Sequence, residues 1–286
     1  MKLTEIYNSG KQVLSFEIFP PKKEEDFVNI TDTLDILCEL KPAYISVTFG
    51  AGGSSNKNKT IEIAKLIRDR YGVTPVVHLT CLCYDKSEID EFIDVLRAEG
   101  INNILALRGD ENPNVPAKSD FKHASDLISY LKSKGDFCIA GACYPEMHPD
   151  SNNRIEDIRN LKKKVDAGAD ILLSQLFFEN ENFYDFVDNC RIAGIDVPIT
   201  PGIMPVLSEA NIRRMTTMCG AKLTPKFERI ISRYGNDPVA LVDAGINYAV
   251  SQIIDLLANG CDGIHLYTMN RPEVAKRICD GIKNII

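Results

Sequence analysis

Three groups of side chains in this chain are of types and spacings that could do chemistry. Glu17 stands within Leu14-Ser15-Phe16-Glu17-Ile18-Phe19, an apolar run that stops at Pro20-Pro21. A carboxylate there is costly to desolvate unless it has a partner or a purpose, and a desolvated carboxyl keeps its proton to higher pH, as a general acid near neutrality must. The plainer reading is a buried glutamate paired with a lysine or arginine. Arg108-Gly109-Asp110 follows the apolar stretch Asn103 to Leu107. Its glycine lets the backbone approach a ligand between two charges, although the same residues also make ordinary turns. Tyr144-Pro145-Glu146-Met147-His148-Pro149-Asp150-Ser151 leads into a helical stretch with Asp157, Asn160, Lys163 and Lys164. Positions 157, 160 and 164 share one helix face. That face offers a carboxylate for ribose hydroxyls, an amide and an ammonium for phosphate, with Lys163 beside it; a solvated, salt-bridged surface is the alternative.

These residues need a scaffold that brings distant segments together, and the apolar pattern supplies one. Eight short runs recur: Val13 to Phe19, Ala43 to Thr48, Pro75 to Thr80, Asn103 to Leu107, Phe137 to Cys143, Ile171 to Phe178, Val197 to Thr200 and Gly263 to Tyr267. Continuous apolar runs read as parallel strands buried on both faces. Helical patterning separates them over Glu25 to Leu40, Lys57 to Arg70, Lys86 to Glu99, Ser119 to Lys134, Asn153 to Ala167 and Asn182 to Ala193. Gly100, Gly135, Gly168 and Gly194 each follow a helical stretch, where a left-handed cap favours glycine. Helices are also predicted near Ser208 to Met218, Pro225 to Arg233 and Pro238 to Ala258. The pattern predicts an α/β fold, a (β/α)8 TIM barrel with an extra helical segment before the last strand. In such barrels chemistry collects where the strands finish, and Glu17, Thr48, His78, Arg108, Asp110, Tyr144, Gln175, Tyr267 and Arg271 all fall there.

The 286 residues suit one barrel of about 250 residues without a linker, so residues 1–286 are expected to form a single domain. A hydrophobic share of 44% and a charged share of 26% are those of a globular protein with a large core. The net charge of −7 weighs against sequence-independent nucleic-acid binding, which needs a basic footprint. Met1 to Lys11 lacks a signal-like apolar segment, and no uninterrupted apolar run reaches the roughly 18 residues of a membrane span, so the cytoplasm is the expected location.

Nine cysteines, an odd number without a Cys-x-x-Cys pair, suggest reduced thiols rather than a disulfide framework. His78, Cys81 and Cys83 are the nearest approach to a metal signature, but zinc sites usually draw paired ligands from two chain positions, and no metal is expected. The dinucleotide fingerprint is absent, and Gly50-Ala51-Gly52-Gly53 lacks the ending of a phosphate loop. Ser54 and Ser55 have no identifiable base, which favours a rim loop over a nucleophile. His123 and His265 read equally well as structural or functional.

Taken together, several motifs resemble the methylenetetrahydrofolate reductase family in its short bacterial form, over nearly the whole chain. They are Ser15-Phe16-Glu17-Ile18-Phe19-Pro20-Pro21, Ser46-Val47-Thr48-Phe49-Gly50-Ala51-Gly52-Gly53, His78-Leu79-Thr80-Cys81, Ala106-Leu107-Arg108-Gly109-Asp110 and Tyr144-Pro145-Glu146-Met147-His148-Pro149. Gln175-Leu176-Phe177-Phe178, Pro201-Gly202-Ile203-Met204-Pro205 and His265-Leu266-Tyr267-Thr268-Met269-Asn270-Arg271 follow in order.

The resemblance implies an FAD enzyme of one-carbon metabolism, serving methionine biosynthesis, that reduces 5,10-methylenetetrahydrofolate to 5-methyltetrahydrofolate by hydride transfer from reduced flavin. Thr48, His78, Arg108, Gly109, Asp110, Ala124, Tyr144, His148, Ser151, Asp157, Asn160, Lys163 and Lys164 would contact FAD, as would His123, which stands where the family often has tyrosine. Glu17, Asp110, Gln175 and Arg271 would meet the folate. Glu17 would be the general acid, and Asp110 would bind the pterin and disfavour anionic reduced flavin.

Family members that use NADH commonly carry a phenylalanine after the Pro-Gly-Ile-x-Pro motif, and Val206 to Asn211 has none. NADH and an electron-donating partner protein therefore both stay open as the source of electrons, within a homo-oligomer or a hetero-complex. Two other readings remain beside this one: a barrel flavoprotein that oxidises imino acids, and a non-catalytic flavin- or folate-binding subunit of a larger redox complex.

Overall fold

The computed structural model describes residues 1–21, 27–49, 54–111 and 115–286. Nine parallel strand segments among them form one sheet: β1 (Val13–Ile18), β2 (Tyr44–Val47), β3 (Thr74–Thr80), β4 (Asn103–Leu107), β5 (Cys138–Cys143), β6 (Ile171–Ser174), β7 (Ile199–Thr200), β8 (Gly202–Ile203) and β9 (Gly263–Tyr267). Their order is β7-β6-β5-β4-β3-β2-β1-β9-β8. Since β7 pairs with β6, β8 pairs with β9, and only Pro201 separates β7 from β8, the two ends of the sheet are one stretch of chain and the ring is completed there. The expected barrel is present, with its seventh strand cut in two and extended past Thr200. Proline has no N–H for the ladder, but the Pro201 carbonyl still accepts from the His265 N–H at 3.0 Å.

The pleat sends alternate residues to opposite faces. In β1, Phe16 and Ile18 join the outer core between sheet and helices. Val13 instead packs inside the ring with Tyr44, Val76, Leu105, Cys138, Ala140, Ile171 and Leu173. Ser15 and Glu17 share the inward face with Val13. Burying an aliphatic or aromatic side chain contributes about 1.5–3 kcal/mol, so a strand apolar on both faces is held from both sides.

Eleven helices surround the sheet among the described residues. They are α1 (Leu3–Tyr7), α2 (Phe27–Glu39), α3 (Ser54–Tyr71), α4 (Lys86–Ala98), α5 (Ala124–Lys134), α6 (Arg154–Asp166), α7 (Asn180–Ile192), α8 (Glu209–Cys219), α9 (Pro225–Tyr234), α10 (Pro238–Ala258) and α11 (Pro272–Ile282). The extra helices start where side-chain oxygens cap them: Ser208 Oγ accepts from Asn211 N, Thr224 Oγ1 from Phe227 N, and Asp237 Oδ1 from Val239 N and Ala240 N. Pro225 and Pro238 occupy first-turn positions, where no N–H is missed.

Several local expectations need correction. Ser54 and Ser55 begin α3 instead of lying in a rim loop, while Gly50 to Gly53 and the first two residues of the expected helix at Glu25 lie outside the described residues. α5 begins at Ala124 rather than Ser119, with His123 as its N-cap. Gly100, Gly168 and Gly194 take positive φ, but Gly135 has φ 173°, an extended backbone, so no left-handed cap forms there. α10 is long and apolar enough to cross a membrane by length and composition. It buries Leu241, Ile246, Ala249, Ile253, Leu256 and Leu257 and packs on α9 and α11, as a core helix does.

α1 was not expected, and it stoppers the amino-terminal end of the ring. Leu3 and Ile6 join the interior cluster, Leu3 N donates to Asn103 Oδ1 at 2.9 Å, and Asn103 Nδ2 donates to the Met1 carbonyl at 3.0 Å. The Tyr7 hydroxyl meets Thr200 Oγ1 at 2.5 Å and the Tyr44 hydroxyl at 3.2 Å.

Candidate active site

Glu17 pairs in register with Ser46 of β2 and Tyr267 of β9, near the carboxyl ends of the strands. Its Oε2 lies 3.5 Å from Nε2 of His78 on β3 and 3.9 Å from Nε2 of His265 on β9. Among the described residues the ion-pairing partners within reach of Glu17 are thus two imidazoles, not the lysine or arginine of the plainer reading. The Glu17 side chain keeps 20% of its surface exposed, whereas those of His78 and His265 keep 6% and 1%; the carboxyl group is the member of the cluster that a ligand can reach. Burial lowers the pKa of His78 to about 4, outweighing the opposing pull of Glu17, so this imidazole is uncharged at neutral pH. His265 is fixed from the other side: Nδ1 lies 2.8 Å from Ser15 Oγ, and the ring stacks on Tyr44 with centroids 5.8 Å apart.

The rim continues onto β4 and β5. The Arg108 carbonyl accepts from Cys81 N and Leu82 N at 3.2 and 2.8 Å, tying the β3 and β4 ends together. A Cβ on Gly109 would fall 3.0 Å from Thr80 Cβ, at a φ of +85° that side chains resist, so glycine fits this close approach. Cys81 and Cys83 direct their thiols at the carbonyls of Arg108, His123 and Val115. The Arg108 guanidinium reaches Asp150 at 3.2 Å, and exposed Asp110 follows at the lip. Tyr144 packs edge-on against His148, centroids 4.5 Å apart, and burial pushes its hydroxyl up to about 12.

The three-residue face on α6 divides in the structure. Asp157 is buried, and its Oδ1 accepts from Ser151 Oγ at 3.0 Å and from His148 N at 3.3 Å, so it organises the preceding loop. Asn160 and Lys163 are exposed and paired at 2.9 Å. Lys164 sends its ammonium inward to the Ala142 carbonyl at 2.9 Å, and burial lowers its pKa. Arg108 acts on both Lys164 and His148 electrostatically, so the three gather as a basic cluster on a chain of net charge −7.

On the opposite rim, Gln175 follows β6 and its Oε1 accepts from Leu176 N at 2.8 Å. The Tyr267 hydroxyl crosses to the Ser174 carbonyl at 2.6 Å, above Gly202. A turn after β9 grips β1: Thr268 Oγ1 donates to the Glu17 carbonyl at 2.7 Å, Asn270 Nδ2 donates to the Phe19 carbonyl at 2.8 Å, and Phe19 N donates to Asn270 Oδ1 at 3.1 Å. Met269 and Asn270 adopt φ of 54° and 52° to make this turn. Arg271 follows, exposed and held to Glu273 at 2.6 Å. Thr48 follows β2 directly, its N–H donating to the Ile18 carbonyl at 3.0 Å. The strand ends therefore gather Glu17, Thr48, His78, Arg108, Asp110, Tyr144 and Gln175 at one mouth, while Asn160 and Lys163 lie on the outer surface.

The sequence profile of the family described as "Methylenetetrahydrofolate reductase" matches residues 2–283. The chain belongs to the methylenetetrahydrofolate reductase family. It is 37% identical over 270 residues to "5,10-methylenetetrahydrofolate reductase" of Pectobacterium carotovorum subsp. carotovorum, covering 94% of this chain and 90% of that protein. It is 36% identical over 284 residues to "Methylenetetrahydrofolate reductase (NADH) 1" of Arabidopsis thaliana, covering 94% of this chain. There the chain spans about half of the relative's length, 48%. A solved structure, described as an uncharacterized protein from Clostridium thermocellum that binds two copies of 5-methyl-5,6,7,8-tetrahydrofolic acid, aligns over 100% of both chains with a TM-score of 0.64 and 16% identity; this shows the shared fold. The expected family, an oxidoreductase family of folate one-carbon metabolism, and the TIM-like fold both hold.

Within this methylenetetrahydrofolate reductase family member, the sequence reading missed Ser15, Asn270, Glu146 and Cys219. Ser15 is an ordinary strand residue until its contact with His265 is known, and Asn270 is a turn residue until it is seen bridging Phe19. Cys219 ends α8 near Asp110, whose charge adds to burial in pushing the thiol up to about 11. Only the odd polar residue in an apolar strand, Ser15, left a signal that could have been followed.

Proposed function

We propose that this chain reduces 5,10-methylenetetrahydrofolate to 5-methyltetrahydrofolate, as a single barrel domain with FAD as its cofactor and Glu17 as general acid. The observation that carries this reading is the placement of Glu17 against neutral His78 at the same strand ends as Arg108, Asp110 and Tyr144. The relatives' names supply the substrate and the reaction.

The residues on the β4–β5–α6 side fit a flavin dinucleotide. Arg108 and Lys164, with Lys163 further out, offer cations for a pyrophosphate. Tyr144, His148 and the buried His78, whose Nε2 has no hydrogen-bond partner among the described residues, offer ring surface and a polar atom. Thr48, Gly109, His123, Ala124, Ser151, Asp157 and Asn160 complete the proposed contacts. When bound, the flavin supplies the hydride.

Glu17 has the position to protonate the substrate amine as the methylene bridge opens, leaving an electrophilic carbon. His78 and His265 keep the carboxyl group pointed into the mouth, and the Thr268 bond to the Glu17 carbonyl fixes its backbone. Asp110 accepts from the pterin edge. Gln175 can both donate to and accept from an amide-like edge once its side chain turns from Leu176, and Arg271 can exchange Glu273 for the carboxylates of a glutamate tail. NADH is the proposed reductant, in keeping with the name of the plant relative.

The deciding experiment is the visible spectrum of purified protein. A flavin spectrum whose reduced form is reoxidised anaerobically by methylenetetrahydrofolate supports the reading, and a preparation that takes up no FAD rejects it. Stopped-flow mixing with NADH then tests the donor: an unbleached flavin would move the source of electrons to a partner protein.

A further inference from the structure

The loop between β5 and α6 has two sets of attachments. On one side it is fixed to α6: Arg154 donates to the Pro145 carbonyl at 2.7 Å, and Asp157 accepts from His148 N and Ser151 Oγ. On the other side Glu146 leaves this set and reaches across to the connection between α8 and α9, where its Oε2 accepts from the backbone N–H of Lys222 at 2.9 Å. The same connection runs close against the loop, since a Cβ on Gly220 would lie 3.3 Å from Pro149 Cγ and 3.7 Å from the Met147 carbonyl oxygen.

The second oxygen of Glu146 is buried and makes no well-formed hydrogen bond among the described residues, although the Asn182 side chain on α7 is near enough to act on the carboxyl group. Leaving an acceptor so placed costs about 1–3 kcal/mol, and an apolar side chain would avoid it. The charged groups facing this carboxyl group are Lys222 and Arg154. Arg154 and Asp157 already fix the α6 side of the loop without Glu146. Its use lies at the far end of the bond. Lys222 is three residues beyond Cys219, the end of α8, and Cys219 stands near Tyr144 and near Asp110, whose charge acts on the thiol.

We propose that Glu146 is a positioning residue: it latches the loop carrying Tyr144 and His148 to the end of α8, and so holds α8 over the barrel mouth. The functional part of this rests on the reading of the mouth as the folate site. The latch ties the wall that would hold the flavin to the helix that would cover the substrate, so this hydrogen bond, beside the packing of Gly220 on Pro149, sets the spacing between them.

The reactivity of Cys219 reports on the latch without any ligand. Iodoacetamide labelling of the purified chain, mapped by peptide mass, is compared for wild type, Glu146→Ala and Glu146→Gln. Glu146→Ala is expected to label Cys219 at least 10-fold faster, with Cys38 and Cys261 unchanged. Glu146→Gln keeps an oxygen for the Lys222 N–H and is expected to stay within about twofold of wild type. In turnover, Glu146→Ala is expected to raise KM for methylenetetrahydrofolate more than 10-fold, with kcat changed less than threefold. Wild-type labelling of Cys219 in Glu146→Ala, a rise shared by Cys38 and Cys261, or Glu146→Gln labelling as fast as Glu146→Ala would each overturn the latch. A chain without folate reduction that still shows the expected labelling would reject the functional reading and leave the latch standing.

Discussion

Glu17 Oε2 lies 3.5 Å from Nε2 of His78, and the imidazole in this pair is the buried member. Because burial holds His78 uncharged at neutral pH, it can orient the carboxyl group without supplying the positive charge that a lysine would bring. For a general acid, the role proposed for Glu17, such a neighbour serves better than an ion pair, which would favour the carboxylate.

Glu17→Gln tests the acid directly. The amide keeps the size and the contacts with His78 but has no proton to give. Flavin content should be unchanged, while the rate of folate reduction falls by about 10²–10⁴-fold. Near-normal reoxidation of reduced flavin by methylenetetrahydrofolate would remove Glu17 from the role.

His78 predicts a pH dependence of stability. Its pKa falls from 6.5 in the unfolded chain to about 4 in the fold, so the native state binds fewer protons between those values. The contribution is fully present above pH 6.5 and is lost as pH falls toward 4. The shift corresponds to about 3 kcal/mol. Urea unfolding of the apoprotein from pH 7 to pH 4 should show this slope in wild type and a shallower one in His78→Asn; equal slopes would rule the histidine out as its source.

Asn270 combines two effects that substitution can separate. Asn270→Gly removes both bonds to Phe19 but relieves the positive φ, whereas Asn270→Ala removes the bonds and keeps the strain. The alanine variant should be less stable than the glycine variant by about 1 kcal/mol. Both should slow folate reduction alike, since each frees the end of β1 that carries Glu17. A glycine variant with wild-type turnover would show that the grip on Phe19 is unimportant to the site.

Gly202 is the tightest point of barrel closure in β8. A Cβ there would fall 2.3 Å from the Ser174 carbonyl oxygen and 2.7 Å from the Tyr267 ring. Gly202→Ala must push β8 off β6 or break the Tyr267 bond to Ser174, at a cost of about 3 kcal/mol. Thermal unfolding checks this, and an unchanged midpoint would mean the ring closes more loosely than described.

Much of the scaffold was legible because a strand buried on both faces has to be apolar throughout. Runs such as Ile171–Ser174 and Gly263–Tyr267 therefore stand out against the charged helices between them. The boundaries of α9 and α10 were legible for a different reason, the prolines at their first positions. The division at Pro201 was not, since whether a proline ends a strand or interrupts it depends on whether the neighbouring strand calls for a donor at that position. α1 was hidden as well: five residues are too few to carry a periodic signal, and its helix exists through Leu3, Ile6 and Tyr7 entering the ring.

The candidate site was legible as a set of strand ends but not as a set of contacts. Strand alternation puts Glu17 inside the ring, yet only closure decides that His78 and His265 are its neighbours. The α6 face shows the limit of periodicity. It put Asp157, Asn160 and Lys164 on one face, but helix spacing cannot say that Asp157 is consumed by its own loop, that Asn160 stays outside with Lys163, or that Lys164 turns inward to Ala142.

The short helix at the floor makes the barrel a blind well. Beneath Glu17 a column of hydroxyls and rings descends through His265, Ser15 and Tyr44 and stops at Tyr7, with Leu3 sealing beside it. With α1 packed into that end, the partly exposed Glu17 carboxyl group opens toward the carboxyl ends of the strands, so a proton given up there in the proposed reaction would be replaced from the side by which the substrate enters.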